Sequence, residues 1–447
     1  MKRKSLYFII IGLFIAQMIL LTLNSCGGAT SDNKNTASDA NDSNDSNNSN
    51  NEIADAAPAI TGGKTPAPAL TAKTFLAADG SRYCIAGKGE EGAKITVRGP
   101  SEFLGFTETK IIDGQFIIEI YLEKAAQDIE VQIYAQADGK EESDPLNVTI
   151  GKNEHREDKM TYIGKNNHIH YRDTLNDFFG VDLFSDRDLE KMKEGAEQLQ
   201  RKLIDEGLKT KVIIFVSPNH GTIYPETMSD FLKNQKVGDD SKLKQLTDTF
   251  KNSTVKFINP YNRLMKEKEN YFIYNRTDTH WNELGAYFGY CELFEYISET
   301  FPNAKPRPMS DFNIYNAIVK GGDLIPMLQF DQSVYIENAP VVRVKNPTAI
   351  DRTSDEIPYQ ETWYHEFHEY ESKDTSKPNI LMYRDSFSIS MMSYMAETAN
   401  KITFYNMWDY NIDINYVKQL HPDFLVIQKV ERDLRVFQGV FRERNFR

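Results

Sequence analysis

Between about residues 71 and 151 apolar and polar positions alternate. Lys94-Ile95-Thr96-Val97-Arg98, Gln115-Phe116-Ile117-Ile118-Glu119-Ile120 and Glu130-Val131-Gln132-Ile133-Tyr134 carry the signal, whose period of two is that of strands with one buried face. Asp113-Gly114 and Asp138-Gly139 punctuate it, and both dipeptides favour tight turns. Strands at this spacing predict a small all-β sandwich over residues 71–151.

After Gly151 the rhythm changes to alternating strands and helices. Leu189, Met192, Ala196, Leu199 and Leu203 fall on one helical face, with Ser185 as the candidate N-cap and Gly207 just past the end. The run Lys211 to Val216 reads as a strand buried on both faces. It ends in the loop Ser217-Pro218-Asn219-His220-Gly221, at the end of a strand where α/β folds place ligands. Val255 to Ile258 repeats the strand signal, and Trp281 to Glu299 predicts a second amphipathic helix. The C-terminal stretch predicts strand 379–384, helix 387–399, strand 402–406, helix 414–420 and strand 424–430. That order implies an α/β domain over residues 158–447 with a doubly wound parallel sheet and right-handed crossovers. The boundary falls between about 151 and 160, near the charged run Glu154-His155-Arg156-Glu157-Asp158.

The first 70 residues predict no folded domain. Lys2-Arg3-Lys4 precedes an apolar run from Leu6 to Leu23, which ends in Leu23-Asn24-Ser25-Cys26. Residues 1–26 therefore read as a signal peptide, and their ending resembles a bacterial lipobox with Cys26 as the lipidated residue. An uncleaved signal anchor is the alternative, because the run is nearly long enough to span a bilayer. Either way the bulk of the protein is expected outside the cytoplasm, in the lipoprotein case anchored to the cell envelope. Residues 27–70, rich in Asn, Asp, Ser, Pro and Ala, have little to bury and are expected to form a flexible tether.

The formal charge of -13 over 447 residues argues against a nucleic-acid partner, which selects for a basic face. No glycine-rich phosphate loop or nucleotide fingerprint is present, and no cofactor is expected. His365-Glu366-Phe367-His368-Glu369 lacks the His-Glu-x-x-His spacing of zinc proteases, so no metal is expected there. Cys84 and Cys291 could pair in an oxidising compartment, but they are expected in separate domains, Cys291 as a buried free thiol.

Candidate chemistry lies in two short motifs. Asp278-Thr279-His280-Trp281 supplies a carboxylate and an imidazole, and Arg384-Asp385-Ser386-Phe387 supplies a hydroxyl at a strand-to-helix junction. These are the three groups of an acyl-transfer triad. A serine hydroxyl is a poor nucleophile at neutral pH until a base takes its proton, and a carboxylate orients that base. Unpaired backbone N–H groups at the start of the helix face a developing oxyanion. Each residue has a plainer reading: Asp278 could cap the next helix, His280 could be satisfied by Asp278, and Ser386 could be an N-cap. Asn219 is a candidate oxyanion donor or simply a turn residue. Asp385 is expected to shape the turn beside Ser386. Arg384 is either an anion clamp or a surface arginine.

Together with Ser217-Pro218-Asn219-His220-Gly221-Thr222-Ile223-Tyr224-Pro225-Glu226, Gly322-Asp323-Leu324 and the late His421-Pro422-Asp423-Phe424-Leu425-Val426-Ile427 with Glu431-Arg432, these motifs resemble the alginate O-acetyltransferase family of SGNH-hydrolase-like proteins (the AlgJ/AlgX type). The resemblance covers roughly residues 158–447. It implies a catalytic Asp278-His280-Ser386 triad acting in extracytoplasmic O-acetylation of a polysaccharide, with a membrane-bound O-acyltransferase as acetyl donor. His220 stands where the family commonly has lysine. A carbohydrate esterase using the same triad, with water as acceptor, is the alternative activity, and a non-catalytic polysaccharide-binding scaffold is a third. The run Gly87 to Val97 looks like the start of bacterial Ig-like modules, for which a spacer role is expected, with carbohydrate contact as the alternative.

Overall fold

The structure is a computed structural model that describes residues 62–353, 367–406, 411–442 and 445–446. The expected signal peptide, Cys26 and most of the expected tether lie outside the described residues, as do Trp363 and His365.

The alternating N-terminal segment folds into two antiparallel sheets. One runs in the order Ala69–Phe75, Arg82–Lys88, Gln115–Leu122, Phe103–Phe106; the other runs Lys94–Arg98, Ile129–Gln136, Leu146–Ile150. Ile85, Ile118 and Ile120 from the first meet Ile95, Val131 and Ile133 from the second in one core. Asp113 and Gly114 both take positive φ, at 55° and 72°, which lets the chain turn tightly into the strand Gln115–Leu122. The first strand begins at Ala69, and Lys64 already bridges Glu141. Ordered chain therefore starts before residue 71, in a Pro/Ala stretch whose composition carries no strand period.

This region is more than a spacer. The outer face of its larger sheet contributes Cys84, Ala86 and Ile117 to a second core with Ile163, Ile169, Leu324, Ile325, Leu328 and Tyr335. Arg82 Nε meets Glu119 Oε1 at 2.5 Å, both side chains almost fully buried. Glu119 Oε2 also accepts from the Ile163 backbone N at 2.8 Å, and Arg82 Nη2 donates to the Thr161 carbonyl at 3.1 Å. Strands 82–88 and 115–122 are thereby clasped to the chain that follows them. Residues Gly62–Arg447 form one compact unit.

The C-terminal half is built on a seven-stranded sheet. Its order is Lys256–Ile258, Lys211–Ser217, Phe424–Val430, Asn379–Arg384, Lys401–Asn406, Phe367–Glu371, Ile350–Asp351. The first five are parallel. The last two pair antiparallel, so the expected all-parallel sheet is mixed at one edge. The link 372–378 explains this, since it is too short for the helical crossover that a parallel pair needs. Side chains alternate across the sheet: Ile213, Phe215, Met382, Phe404 and Val426 enter one core, and Val212, Ile214, Leu381, Leu425 and Ile427 enter the other. Both faces are covered, which is why these strands read as continuous apolar runs.

The helix Asp186–Asp205 forms as expected, capped by the Ser185 hydroxyl. The helix expected at 281–299 runs Glu283–Ser298, and it is not amphipathic. Leu284 through Cys291 are all buried, because the helix is sandwiched between the sheet and the ribbon Phe312–Lys320/Ile336–Val344. A helix apolar on all sides belongs in a core. The helix expected at 387–399 is a 3₁₀ segment, Ser386–Met391, followed by a short α-helix, Met392–Ala396. Cys84 and Cys291 are both buried free thiols.

Candidate active site

Two loops carry the candidate residues, and named interactions hold each of them. Residues 275–281 form a loop closed by the bridge Tyr274↔Trp281. The Glu337 carboxylate, buried at 1% exposure, accepts from the backbone N–H groups of Arg276 at 2.7 Å and Thr277 at 3.0 Å, and from the Thr277 hydroxyl. Asn282 then caps the buried helix, its Oδ1 accepting from Leu284 N and Gly285 N. Because Asn282 holds that position, the carboxylate of Asp278 is not the helix cap.

The second loop follows strand Asn379–Arg384. Asp385 is the N-cap of the segment Ser386–Met391. Its Oδ1 accepts from Phe387 N at 2.9 Å and from Gln428 Nε2 at 2.8 Å, and its Oδ2 accepts from Val430 N at 2.7 Å. Asp385 therefore anchors the turn to the neighbouring strand, the turn-shaping role expected of it. Ser386 is the first residue of the segment, so it is not the cap either. The indole of Trp281 donates to the Phe387 carbonyl at 2.9 Å and ties the two loops together.

That tie brings three side chains into line. Asp278 Oδ1 lies 2.7 Å from His280 Nδ1, and His280 Nε2 lies 2.7 Å from Ser386 Oγ. Asp278 Oδ1 also accepts from the His280 backbone N at 2.9 Å. The Asp278 and His280 side chains are 18% and 28% exposed, so the array is reachable from solvent while shielded by its surroundings.

A second carboxylate, Asp323, completes the cluster. Its Oδ1 accepts from Thr279 N at 2.8 Å, its Oδ2 accepts from the Thr279 hydroxyl at 2.6 Å, and Oδ2 lies 3.7 Å from His280 Nδ1. The Asp323 backbone N donates to Asp278 Oδ2 at 3.4 Å. Gly322 makes this approach possible: a Cβ there would fall 2.5 Å from both Cβ and Oδ2 of Asp278. Asp323 rests on Leu324 and Ile325, which pack against the N-terminal sheet. The N-terminal strands therefore support the site from below. Asp278, His280 and Asp323 bring possible metal-ligand atoms within 4.8 Å of one another, but their polar atoms are already engaged with each other, with Thr279 and with backbone N–H groups.

The electrostatics follow from burial and charge. Burial pushes the His280 imidazolium down, but the hydrogen bond to Asp278 and the charges of Asp278 and Asp323 outweigh it, leaving the pKa above the usual histidine range. Burial pushes Asp278 up, and its hydrogen bonds and the nearby His280 charge bring it below the ordinary carboxylate value. Asp323 is raised to about 6, by burial and then by its like-charged neighbour Asp278. Asp278 is thus the ionised carboxylate that orients the ring.

The other expected site residues are held by their own contacts. Asn219 is 1% exposed, and its amide Nδ2 donates to Asp177 Oδ2 at 3.2 Å while its backbone N donates to Glu431 Oε2 at 2.8 Å. One of the two amide N–H donors of Asn219 is thus used by Asp177. Arg384 is 1% exposed, so it is not a surface arginine, and a buried strand end offers no open anion clamp. His220, at the position where lysine was the family expectation, is buried with Nε2 2.8 Å from His168 Nδ1 and its ring stacked on Tyr274. Asp323 was legible only as part of the run Gly322-Asp323-Leu324, with no role attached.

Residues 178–356 match the family model described as SGNH hydrolase-like domain, acetyltransferase AlgX. The matched stretch contains Asp278, His280 and Asp323, and Ser386 lies beyond it. No curated protein matches the chain. Among solved structures, a DHHW family protein from Eubacterium siraeum is 14% identical, with a TM-score of 0.43, covering 70% of this chain and 95% of its own. Bacillus cereus PatB1 is 14% identical (TM-score 0.41, covering 56% and 92%). The O-acetyltransferase domain of Pseudomonas putida AlgJ is also 14% identical (TM-score 0.40, covering 62% and 92%). The chain carries an SGNH-hydrolase-like domain of mixed α/β build. Over residues 178–356 the chain is thus similar to the alginate O-acetyltransferase-like acetyltransferases.

Proposed function

We propose that this chain is an extracytoplasmic O-acetyltransferase that carries acetyl on Ser386 and passes it to a hydroxyl of a cell-surface or secreted polysaccharide. The observation that carries this reading is the unbroken relay from Asp278 through His280 to Ser386, with both links at 2.7 Å. An ionised Asp278 can only accept, so His280 Nδ1 holds the proton and Nε2 is left to accept from the Ser386 hydroxyl. His280 takes that proton as Ser386 attacks the acetyl carbonyl, and returns it to the leaving oxygen. In the second half the sugar hydroxyl gives its proton to His280 and attacks the acyl-enzyme. The backbone N–H of Ser386, at the start of a helical turn, faces the oxyanion. The supporting surroundings are the family match and the carboxylate pair that raises the basicity of His280.

Lipid on Cys26 would hold the protein at the envelope, where a membrane-bound O-acyltransferase can deliver acetyl. The test is partition between acceptors. The full-length protein is incubated with p-nitrophenyl acetate and an oligosaccharide, and acetylated sugar is counted against free acetate by mass spectrometry. Acetylated oligosaccharide from the wild type and none from Ser386→Ala is the expected result. Acetate alone, at every sugar concentration, would make the protein an esterase.

A further inference from the structure

Arg432 stands out among the arginines. It follows strand Phe424–Val430, whose neighbour in the sheet is Asn379–Arg384, with Tyr383 paired to Ile427. The two strands are parallel, so Ser386 and Arg432 emerge from adjacent strands at the same end of the sheet. The Arg432 guanidinium lies over two rings, 5.4 Å from the centroid of Phe387 and 5.7 Å from that of Tyr171. Phe387 is the residue after Ser386, and its ring centroid is 4.8 Å from that of His280. The cation is close enough for its charge to oppose protonation of His280.

The donors of Arg432 are not taken up by a carboxylate. Arg82, Arg263, Arg307, Arg343 and Arg435 each meet a carboxylate. Arg432 has no ion pair among the described residues, and its Nη1 is buried without a hydrogen-bond partner. A buried guanidinium N–H with no acceptor is costly, and such groups call for a specific reason. Both rings lie within cation–π range of the guanidinium, an attraction that uses none of its N–H groups as conventional hydrogen-bond donors. The side chain therefore lies against Phe387, the residue after the nucleophile, with its partly exposed N–H edge unclaimed.

We infer that Arg432 is a catalytic residue, whose solvent-facing guanidinium N–H groups, Nε–H and Nη2–H, donate to the carbonyl oxygen of the acetyl group and to the oxyanion formed from it. This rests on the acyl-enzyme reading of Ser386. In each half-reaction the attacking oxygen bonds to the carbonyl carbon, its proton goes to His280 Nε2, and the C=O π pair moves onto oxygen. On collapse that pair reforms the carbonyl, the bond to the leaving oxygen breaks, and His280 returns the proton to it. Arg432 meets the charge where it is greatest, together with the Ser386 N–H. Preorganised donors of this kind act most strongly on the turnover step.

The test is the pre-steady-state acetylation of Ser386 by p-nitrophenyl acetate, with intact-mass detection of the acyl-enzyme. Arg432→Gln is expected to slow acetylation by roughly 100-fold or more, with KM near that of wild type and an unchanged melting temperature. A boronic acid that forms a tetrahedral adduct on Ser386 should lose affinity in parallel. Arg432→Met keeps the stem over Phe387 without any N–H and is expected to match Arg432→Gln. Acetylation within about threefold of wild type in either folded variant would overturn the inference, as would unfolding of both, which would make Arg432 a structural residue. Failure of the acyl-enzyme reading looks different, because the wild type itself would then show no adduct on Ser386.

Discussion

Replacing Gly322 by alanine tests whether the position of Asp278 matters as the geometry requires. The new methyl would sit 2.5 Å from Cβ and Oδ2 of Asp278 and 2.7 Å from the Thr277 carbonyl oxygen. Comfortable carbon contacts are about 3.5–4.0 Å, so something must move by about 1 Å. Thr277 is poorly able to yield, since its carbonyl accepts from Leu324 N at 3.0 Å and its N–H is held by Glu337. Asp278 is left to move, and with it the 2.7 Å link to His280. A displacement of ~1 Å in a reacting array costs ~100-fold, equivalent to ~2.7 kcal/mol of barrier. The assay is kcat/KM for p-nitrophenyl acetate beside a thermal melt. We expect Gly322→Ala to stay folded and to lose about two orders of magnitude, mainly in kcat. A folded variant within about threefold of wild type would refute the argument that Gly322 sets the carboxylate.

Asp323→Asn addresses pH dependence: His280 serves as base only when neutral, so activity rises as pH climbs through its elevated pKa. Removing one of the two charges that elevate it should move the acid limb of the kcat/KM profile to lower pH, and an unmoved limb would contradict the role given to Asp323. Glu119→Leu leaves Arg82 buried without its partner and should destabilise the protein by about 3–5 kcal/mol in urea unfolding; a loss under about 1 kcal/mol would mean the clasp contributes little. Cys26→Ala should release the protein from the envelope or leave an unprocessed precursor, and processing and retention like wild type would rule out the lipid anchor.

Much of the fold was legible because periodicity reports burial directly. Ser185 to Gly207 and the strands 211–217, 379–384 and 424–430 appear close to where their patterns put them. The helix from Glu283 misled because its first two turns, Leu284 through Cys291, are buried on all sides, and its polar row, Glu292, Glu295 and Ser298, is confined to the C-terminal half. The antiparallel edge depends on a connection length and on which strand inserts between two others, which no local pattern encodes. The sequence motifs brought out Asp278, His280 and Ser386, since an imidazole two residues from a carboxylate restricts its own geometry. Asn219, Asp385 and Arg384 were ambiguous because a turn amide, a capping carboxylate and a buried arginine look alike in sequence to functional ones. Only their partners, Asp177, Val430 and the sheet interior, tell them apart. Asp323 and Arg432 come from distant segments, and what marks them is proximity to His280 and Phe387.

The central claim is that Ser386 carries the acetyl group. The direct measurement is mass spectrometry of the protein quenched during turnover of p-nitrophenyl acetate, with peptide mapping of any adduct. We expect one acetyl group on the peptide containing Ser386 in the wild type, a longer-lived adduct when no sugar acceptor is present, and none in Ser386→Ala. An acetyl group on another residue, or equal labelling of wild type and Ser386→Ala, would contradict the account.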